Sequence, residues 1–468
     1  MNQVRKKVPL EQHSAVDRQR VFHPGTHAHD HSSGAIPARR LVSASGIYVH
    51  DDANTFIDGF AGLYCANVGY GREEIAKAVH DQVLELSYAH TYFGQSHDTG
   101  VELARQLMDD WLPSGMAKAY FGMSGSDANE TLIKICWYYN NVLDRPKKKK
   151  IIARHRGYHG SGIVTASLTG FPNYHANFDL PVPGVLHTRC PDYYRREDDQ
   201  LTESDFVALC IRELEELIQR EGADTIAAFI GEPMLGTGGL LPPLPGYWAA
   251  VQAVLRKNDI LLIADEVVCG FGRLGARTGS ELYGIQPDMM TLAKGITSGY
   301  VPLSAAVVNK KVWDVIEEGS RKLGAMGHGW TYSGHPVATA AALANLEILK
   351  REELIENARV TGAHLQAQLT GTLGDHPLVG NVRGQGLLAA VEVMADRKQR
   401  VPFDPSAKIG DRIVDAARKQ GLIVRAVGPN QNIIGFAPPL IIKPAEVDDV
   451  VARVTRAFDQ VAKDVGVQ

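Results

Sequence analysis

The sequence predicts an α/β protein whose middle is a largely parallel sheet covered by helices. From about residue 70 to 335, helical patterns alternate with short apolar runs: AKAYFG (117–122), KIIARH (150–155), IAAFIGE (226–232), ILLIADE (260–266), MMTLAKG (289–295) and LSAAVVN (303–309). Such alternation is what helical crossovers between parallel strands produce. At 468 residues the chain can bury a substantial core and divide into one large and one small domain. No apolar run is long enough to span a bilayer, so the apolar segments are read as core.

In chain order, a polar arm comes first. GIYVHDDANTFIDGF (46–60) then reads as a hairpin turning at Asp51, Asp52 and Asn54. After the first strand of the alternating region, GMSGSDANE (122–130) opens a helix. Ser126 or Asp127 can cap it, Glu130 stands three residues after Asp127 as a capping-box partner, and Leu132, Ile133, Ile135, Cys136 and Tyr139 form its apolar face. Arg145-Pro146 ends that helix, and Lys147 to Lys150 read as a solvated turn. A long helical stretch runs from Pro336 to about Leu354 and leads to strands near NVRGQGLLAAVEV (381–393) and IIGFAPPL (433–440). The expected division is 1–70 (arm and part of the small domain), 71–335 (large domain) and 336–468 (C-terminal small domain).

Composition narrows the function classes. A net charge of -4 argues against nucleic acid as the main partner. The 5 cysteines include no Cys-x-x-Cys pair, and Cys136, Cys210 and Cys269 fall in apolar segments, as expected of reduced thiols in a cytoplasmic protein. MNQVRKKVPLEQH lacks the apolar core of a signal peptide, so neither a membrane partner nor export is expected.

Two strand ends carry chemistry. Lys294 follows the run MMTLA, and Asp265 closes the run ILLIA. A pyridoxal phosphate enzyme needs such a pair: an amine for the cofactor aldehyde and a carboxylate to keep the pyridine nitrogen protonated. Desolvation favours the neutral, nucleophilic amine. A charged residue after an apolar strand is also a common exit to solvent, so each residue alone leaves both readings open. GMSGSDANE supplies the third part, small residues and a helix N-terminus able to cradle a phosphate. The segment is not a nucleophile elbow, because Ser126 stands where Gly-x-Ser-x-Gly needs its last glycine. It also lacks the dinucleotide fingerprint Gly-x-Gly-x-x-Gly.

GMSGSDANE, RGYHGSG (156–162), GEPMLGTGG (231–239), ADEVVCGFGRLG (264–275), LAKGITSGYVPLSA (292–305) and GWTYSGHPVA (329–338) resemble, in order and spacing, the class III pyridoxal-phosphate aminotransferases. The resemblance covers about Phe22 to Pro444. It implies the fold type I architecture: a large domain with a mostly parallel sheet sandwiched by helices, and a smaller α/β domain built from both chain ends. It implies pyridoxal 5'-phosphate as cofactor and Lys294 as the residue that binds it covalently and shuttles the proton. Asp265 would pair with the pyridine nitrogen, and Gly125 and Ser126 would hold the phosphate. Tyr158 and Val267 would sandwich the ring, with His159 and Glu232 in support. Thr331 would reach the phosphate of the partner subunit's cofactor, since the family forms homodimers with active sites at the interface, some assembling further into tetramers.

Within the family, GLIVRAVG (421–428) resembles the segment that carries a mobile arginine in the ω-amine:pyruvate subgroup. There Arg425 would pair with a keto-acid carboxylate and swing away for an apolar amine. FAGLYCANVGYG (60–71) matches the pocket loop, with Tyr64 where many relatives carry tryptophan, which implies a roomier or more polar pocket. Phe22, Tyr92 and Phe93 are candidates for further aromatic wall. The expected activity is transfer of an amino group from a primary amine or ω-amino acid to pyruvate. The alternatives are a GABA- or diamine-type enzyme using 2-oxoglutarate, a mutase or decarboxylase, or a non-catalytic protein of the same fold. His23, His27, His29 and His31 with Asp30 form a dense cluster whose spacing can bind zinc. No cysteine or second ligand group stands beside it in the sequence, and no metal is expected.

Overall fold

The computed structural model describes residues 9–37 and 39–467. Its centre is a seven-stranded sheet in the spatial order Met116–Gly122, Ser304–Asn309, Met289–Leu292, Leu261–Asp265, Ile226–Gly231, Lys150–Arg154 and Val185–Thr188. Ser304–Asn309 runs antiparallel to both neighbours, and the remaining pairs are parallel. Consecutive residues point to opposite faces, so each strand feeds two cores. Ile151 and Ile230 pack with Leu132, Ile133 and Cys136 on one face. Ile152 and Phe229 pack with Phe206, Leu214 and Val251 on the other. Burial on both faces is why these strands read as continuous apolar runs.

All six strands read from those runs are present. Val185–Thr188 is the one the apolar pattern passes over: it is four residues long, contains His187 and is only partly buried until Thr188. Three local expectations are corrected. The helix Gly125–Val142 is capped by Ser124, whose Oγ accepts from the Asp127 N–H at 3.1 Å, while Asp127 accepts from the Ser124 N–H at 3.0 Å. Asp127 is thus the box partner rather than the cap. Glu130 instead turns outward and accepts from the N–H groups of Val164 and Thr165, both at 3.1 Å, at the start of the helix Ile163–Leu168. The lysine run is a solvated turn only at Lys147. Lys148 is buried and donates to the carbonyls of Ala223 and Asn258, Lys149 donates to that of Trp137, and Lys150 pairs with Glu221. Finally, the helical stretch from Pro336 ends at Arg351, and a second helix, Leu354–Leu373, starts after Glu353 at φ +50°.

Both chain ends build the smaller part. The expected hairpin forms between Tyr48–His50 and Thr55–Asp58, and Asp51 Oδ1 accepts from the N–H groups of Ala53 and Asn54 at its turn. Leu422–Ile423 then joins Thr55–Asp58 in parallel, Leu422 facing Ile57. A second sheet orders Val379–Gln385, Leu388–Val393, Ile433–Phe436 and Arg425–Val427, all antiparallel. One apolar cluster containing Ile57, Leu292, Leu346, Val391 and Phe458 runs from the large sheet into this region.

Candidate active site

Register brings the two strand ends together. Asp265 lies opposite Thr291 on the adjacent parallel strand, so Lys294 leaves its strand beside the carboxylate. Ser304 lies opposite Gly122, which sets the glycine-serine loop over the same edge, and Ser304 Oγ donates to Asp127 at 2.8 Å. Between them is a cavity of about 340 Å³ at the carboxyl ends of the strands, where open α/β sheets bind ligands. Gly125, Ser126, Tyr158, His159, Glu232, Asp265, Val267 and Lys294 all line it.

Asp265 is 2% exposed and has no lysine or arginine partner among the described residues. Its Oδ2 accepts from Asn129 Nδ2 and His159 Nδ1, each at 2.9 Å, while Oδ1 takes only a long 3.2 Å bond from the Val267 N–H. A buried carboxylate with spare capacity on one oxygen suits a cationic N–H arriving from the cavity. Because the carboxylate can only accept, His159 donates through Nδ1, and its buried Nε2 has no partner among the described residues. Sequence reasoning missed Asn129. This residue donates to both the His159 carbonyl and Asp265, and its Oδ1 accepts from Thr291 at 2.5 Å. Glu232 is also buried, and burial raises its pKa. Its two oxygens accept from the N–H groups of Tyr158 at 3.0 Å and Gly236 at 2.7 Å.

At the other end, Ser124 Oγ occupies the Asp127 N–H and leaves those of Gly125 and Ser126 ahead of the first helical bond, free to meet an anion. Gly125 cannot be larger, because a Cβ there would stand 2.9 Å from Val267 Cγ2. Ser126 Oγ accepts from the Ser161 N–H at 3.1 Å, tying the phosphate loop to the segment that carries Tyr158.

Lys294 opens a short turn, Lys294–Ile296, at φ +44°, a left-handed conformation costly for any residue with a Cβ. Asn345, on Pro336–Arg351, holds that turn by donating to the carbonyls of Gly295 at 2.9 Å and Ile296 at 3.0 Å. Burial lowers the Lys294 pKa, only partly offset by Cys65, Asp265 and Glu232. The cavity thus offers an amine whose pKa burial lowers, a buried carboxylate with spare capacity on one oxygen and an anion cradle, the three groups pyridoxal phosphate requires.

The model of the family described as "Aminotransferase class-III" matches residues 29–458. The chain belongs to the class III aminotransferases. This aminotransferase is 54% identical over 448 residues, 95% of each chain, to a diaminobutyrate–2-oxoglutarate transaminase of Halomonas elongata. A solved transaminase from directed evolution by ancestral reconstruction superimposes with a TM-score of 0.96 at 57% identity, covering 97% of this chain and all of that one. The ω-transaminase of Pseudomonas jessenii in complex with PMP gives 0.94 at 42%, covering 98% and 99%. Fold type I and dependence on pyridoxal 5'-phosphate follow from family membership and agree with the cavity.

The expected substrate residues of the aminotransferase are placed less uniformly. Tyr64 is buried at φ +62°, its ring 4.4 Å from that of Phe60 and its hydroxyl near the Thr237 side chain. Arg425 is exposed at the start of its strand, makes no hydrogen bond or ion pair among the described residues, and acts electrostatically on Tyr64 and Tyr174. Neither Tyr64 nor Arg425 is among the residues that line the cavity, although Cys65 next to Tyr64 is, and the single chain does not bring Phe22, Tyr92, Phe93 or Thr331 there either. Phe22 is 88% and Phe93 95% exposed, and Thr331 lies at the surface, its carbonyl accepting from Tyr88 at 2.8 Å. Among the described residues, no helix is long and apolar enough to cross a membrane.

Proposed function

We propose that the enzyme moves an amino group from a primary amine or ω-amino acid to pyruvate in two alternating half-reactions through one cavity. The observation that carries this reading is Arg425, a guanidinium without a carboxylate of its own beside Tyr64. An unpaired arginine can take a keto-acid carboxylate in a two-pronged bond and withdraw when an apolar amine enters. Bound pyridoxal phosphate supplies the electron sink for the bond broken at the substrate Cα. Lys294 would anchor the cofactor, and its Nζ, whose pKa burial lowers, would take the proton from the substrate Cα and give it back within the same half-reaction. Asp265, braced by Asn129 and His159, holds the pyridine N–H. Gly125 and Ser126 bind the phosphate, and Tyr158 and Val267 confine the ring. Glu232 orients the Tyr158 segment from behind. Thr331, Tyr92, Phe93 and Phe22 serve the cavity of a second copy in a homodimer, a role supported by the exposure of Phe22 and of two ring pairs, Tyr88 with Tyr332 and Tyr92 with Phe93.

A second reading, a diamine donor with 2-oxoglutarate as acceptor, is favoured by the name of the Halomonas elongata relative. A donor panel run against both acceptors separates the two by kcat/KM. Replacing Arg425 with Ala should lower kcat/KM for pyruvate about 10- to 100-fold, the scale of lost charge-assisted bonds, while an uncharged amine stays within about 3-fold in its half-reaction. Equal losses in the two half-reactions would remove Arg425 from acceptor recognition.

A further inference from the structure

The histidine cluster of the N-terminal arm acquires in three dimensions the ligand it lacks in the sequence. Asp17 lies in the helix Leu10–Arg20, His23 just beyond its end, and His31 in the short helix Ala28–Ser33, with Gly25 at φ +60° turning the chain back. His23 Nε2 stands 3.0 Å from Asp17 Oδ1 and His31 Nε2 3.1 Å from Asp17 Oδ2. Ligand atoms of all three residues lie within 4.8 Å of one another, and the two imidazole rings are 4.5 Å apart. Side chains of Asp17 and His31 are 18% and 12% exposed, so the group is partly shielded from water.

We propose that Asp17, His23 and His31 bind a divalent transition-metal ion, Zn²⁺ fitting best, which clamps the arm. Metal–ligand distances of about 2.0–2.2 Å make the edge of a zinc tetrahedron about 3.3–3.6 Å, so the two histidine–aspartate separations need to open by only a few tenths of an ångström, and every ligand atom already lies within 4.8 Å of the others. Two imidazoles and one carboxylate suit zinc and its neighbours and are poor ligands for calcium or magnesium, which prefer all-oxygen sites. Three protein ligands leave the fourth position to water. One turn before Asp17 on the same helix, His13 has a buried Nδ1 with no partner among the described residues, a polar group available to support the site. Phe22 lies between the ligands Asp17 and His23 in sequence, so an ion there fixes how the arm presents that ring. The site shares no residue with the cofactor cavity.

The test uses chelator-treated holoenzyme titrated with Zn²⁺ against a chromophoric competitor. One equivalent per chain should bind with a roughly micromolar or tighter Kd. Asp17→Asn and His31→Gln should each weaken binding at least about 10-fold, whereas His29→Gln, outside the triad, should leave it unchanged. Unaltered cofactor absorbance and thermal melting in the variants show that they fold, and anomalous diffraction at the zinc edge locates the ion. Absence of binding by the parent, or undiminished affinity in an Asp17→Asn/His31→Gln double variant, would overturn the site and leave a hydrogen-bonded His–Asp–His cluster.

Discussion

Lys294 carries two costs at once, a left-handed backbone and an amine whose charged form is disfavoured by burial. The first is of order 1–3 kcal/mol and persists because Asn345 grips the turn from the neighbouring helix. The second has a pH signature. A lysine whose folded pKa lies below its unfolded value binds fewer protons when folded. Stability of the cofactor-free protein therefore rises with pH between the two values, and the penalty is fully present below the folded one. Lys294→Met should make the cofactor-free protein more stable at pH 7, by on the order of 1 kcal/mol, with the gap narrowing toward pH 10. Urea unfolding at both pH values measures it, and a gap that widens with pH would contradict the burial argument. Lys294 and Asp265 were legible because residue type and strand end coincide. Asn129 was not, because its partners Asp265, His159 and Thr291 come from other elements. Its local trace is a polar side chain on a buried helix face, a trace that Thr131 and Asn140 share.

For the helix Gly125–Val142, cap and ligand cradle are the same turn. Ser124 fixes the first turn so that the Gly125 and Ser126 N–H groups face the cavity. Ser124→Ala should cost about 1 kcal/mol in urea unfolding, the usual price of a lost N-cap. It should also weaken phosphate anchoring about 5-fold, read as faster loss of cofactor absorbance on dialysis; stability lost without any change in cofactor retention would separate cap from cradle. The helix itself was legible in its apolar face, but the cap was displaced by two residues. Small polar residues at positions 124, 126 and 127 are equivalent caps on paper, and only the strand end at Gly122 decides among them. Lys148 was misread for a related reason: a lysine run looks solvated until the helix ends carrying the Ala223 and Asn258 carbonyls surround it.

In the molecule as a whole, Thr331 and the aromatic group around it lie on the surface of one chain, while every other proposed cofactor contact lines the cavity. If Thr331 serves a second copy, Thr331→Glu and Lys294→Ala are each inactive alone yet complementary. Re-paired at random, they should restore about a quarter of the parent's sites, because half of the dimers then hold one intact site. Turnover by the mixture measures this, and its absence would confine Thr331 to its own chain. The α/β class and six of the seven strands of the large sheet were legible from the alternation of apolar runs. Residues proposed to serve a second copy came only from the family resemblance, because no pattern within one chain distinguishes a surface aromatic from an interface one. The parallel pairing of Leu422–Ile423 with Thr55–Asp58 has a consequence in time rather than space. As the chain leaves the ribosome, the strand at residues 55–58 presents an open edge until residues 422–423 emerge, long after the large sheet can close. Non-local pairing of this kind is slow, and an open edge invites wrong partners. The smaller sheet is therefore expected to be the last part to fold and the part of the nascent chain most in need of protection from aggregation.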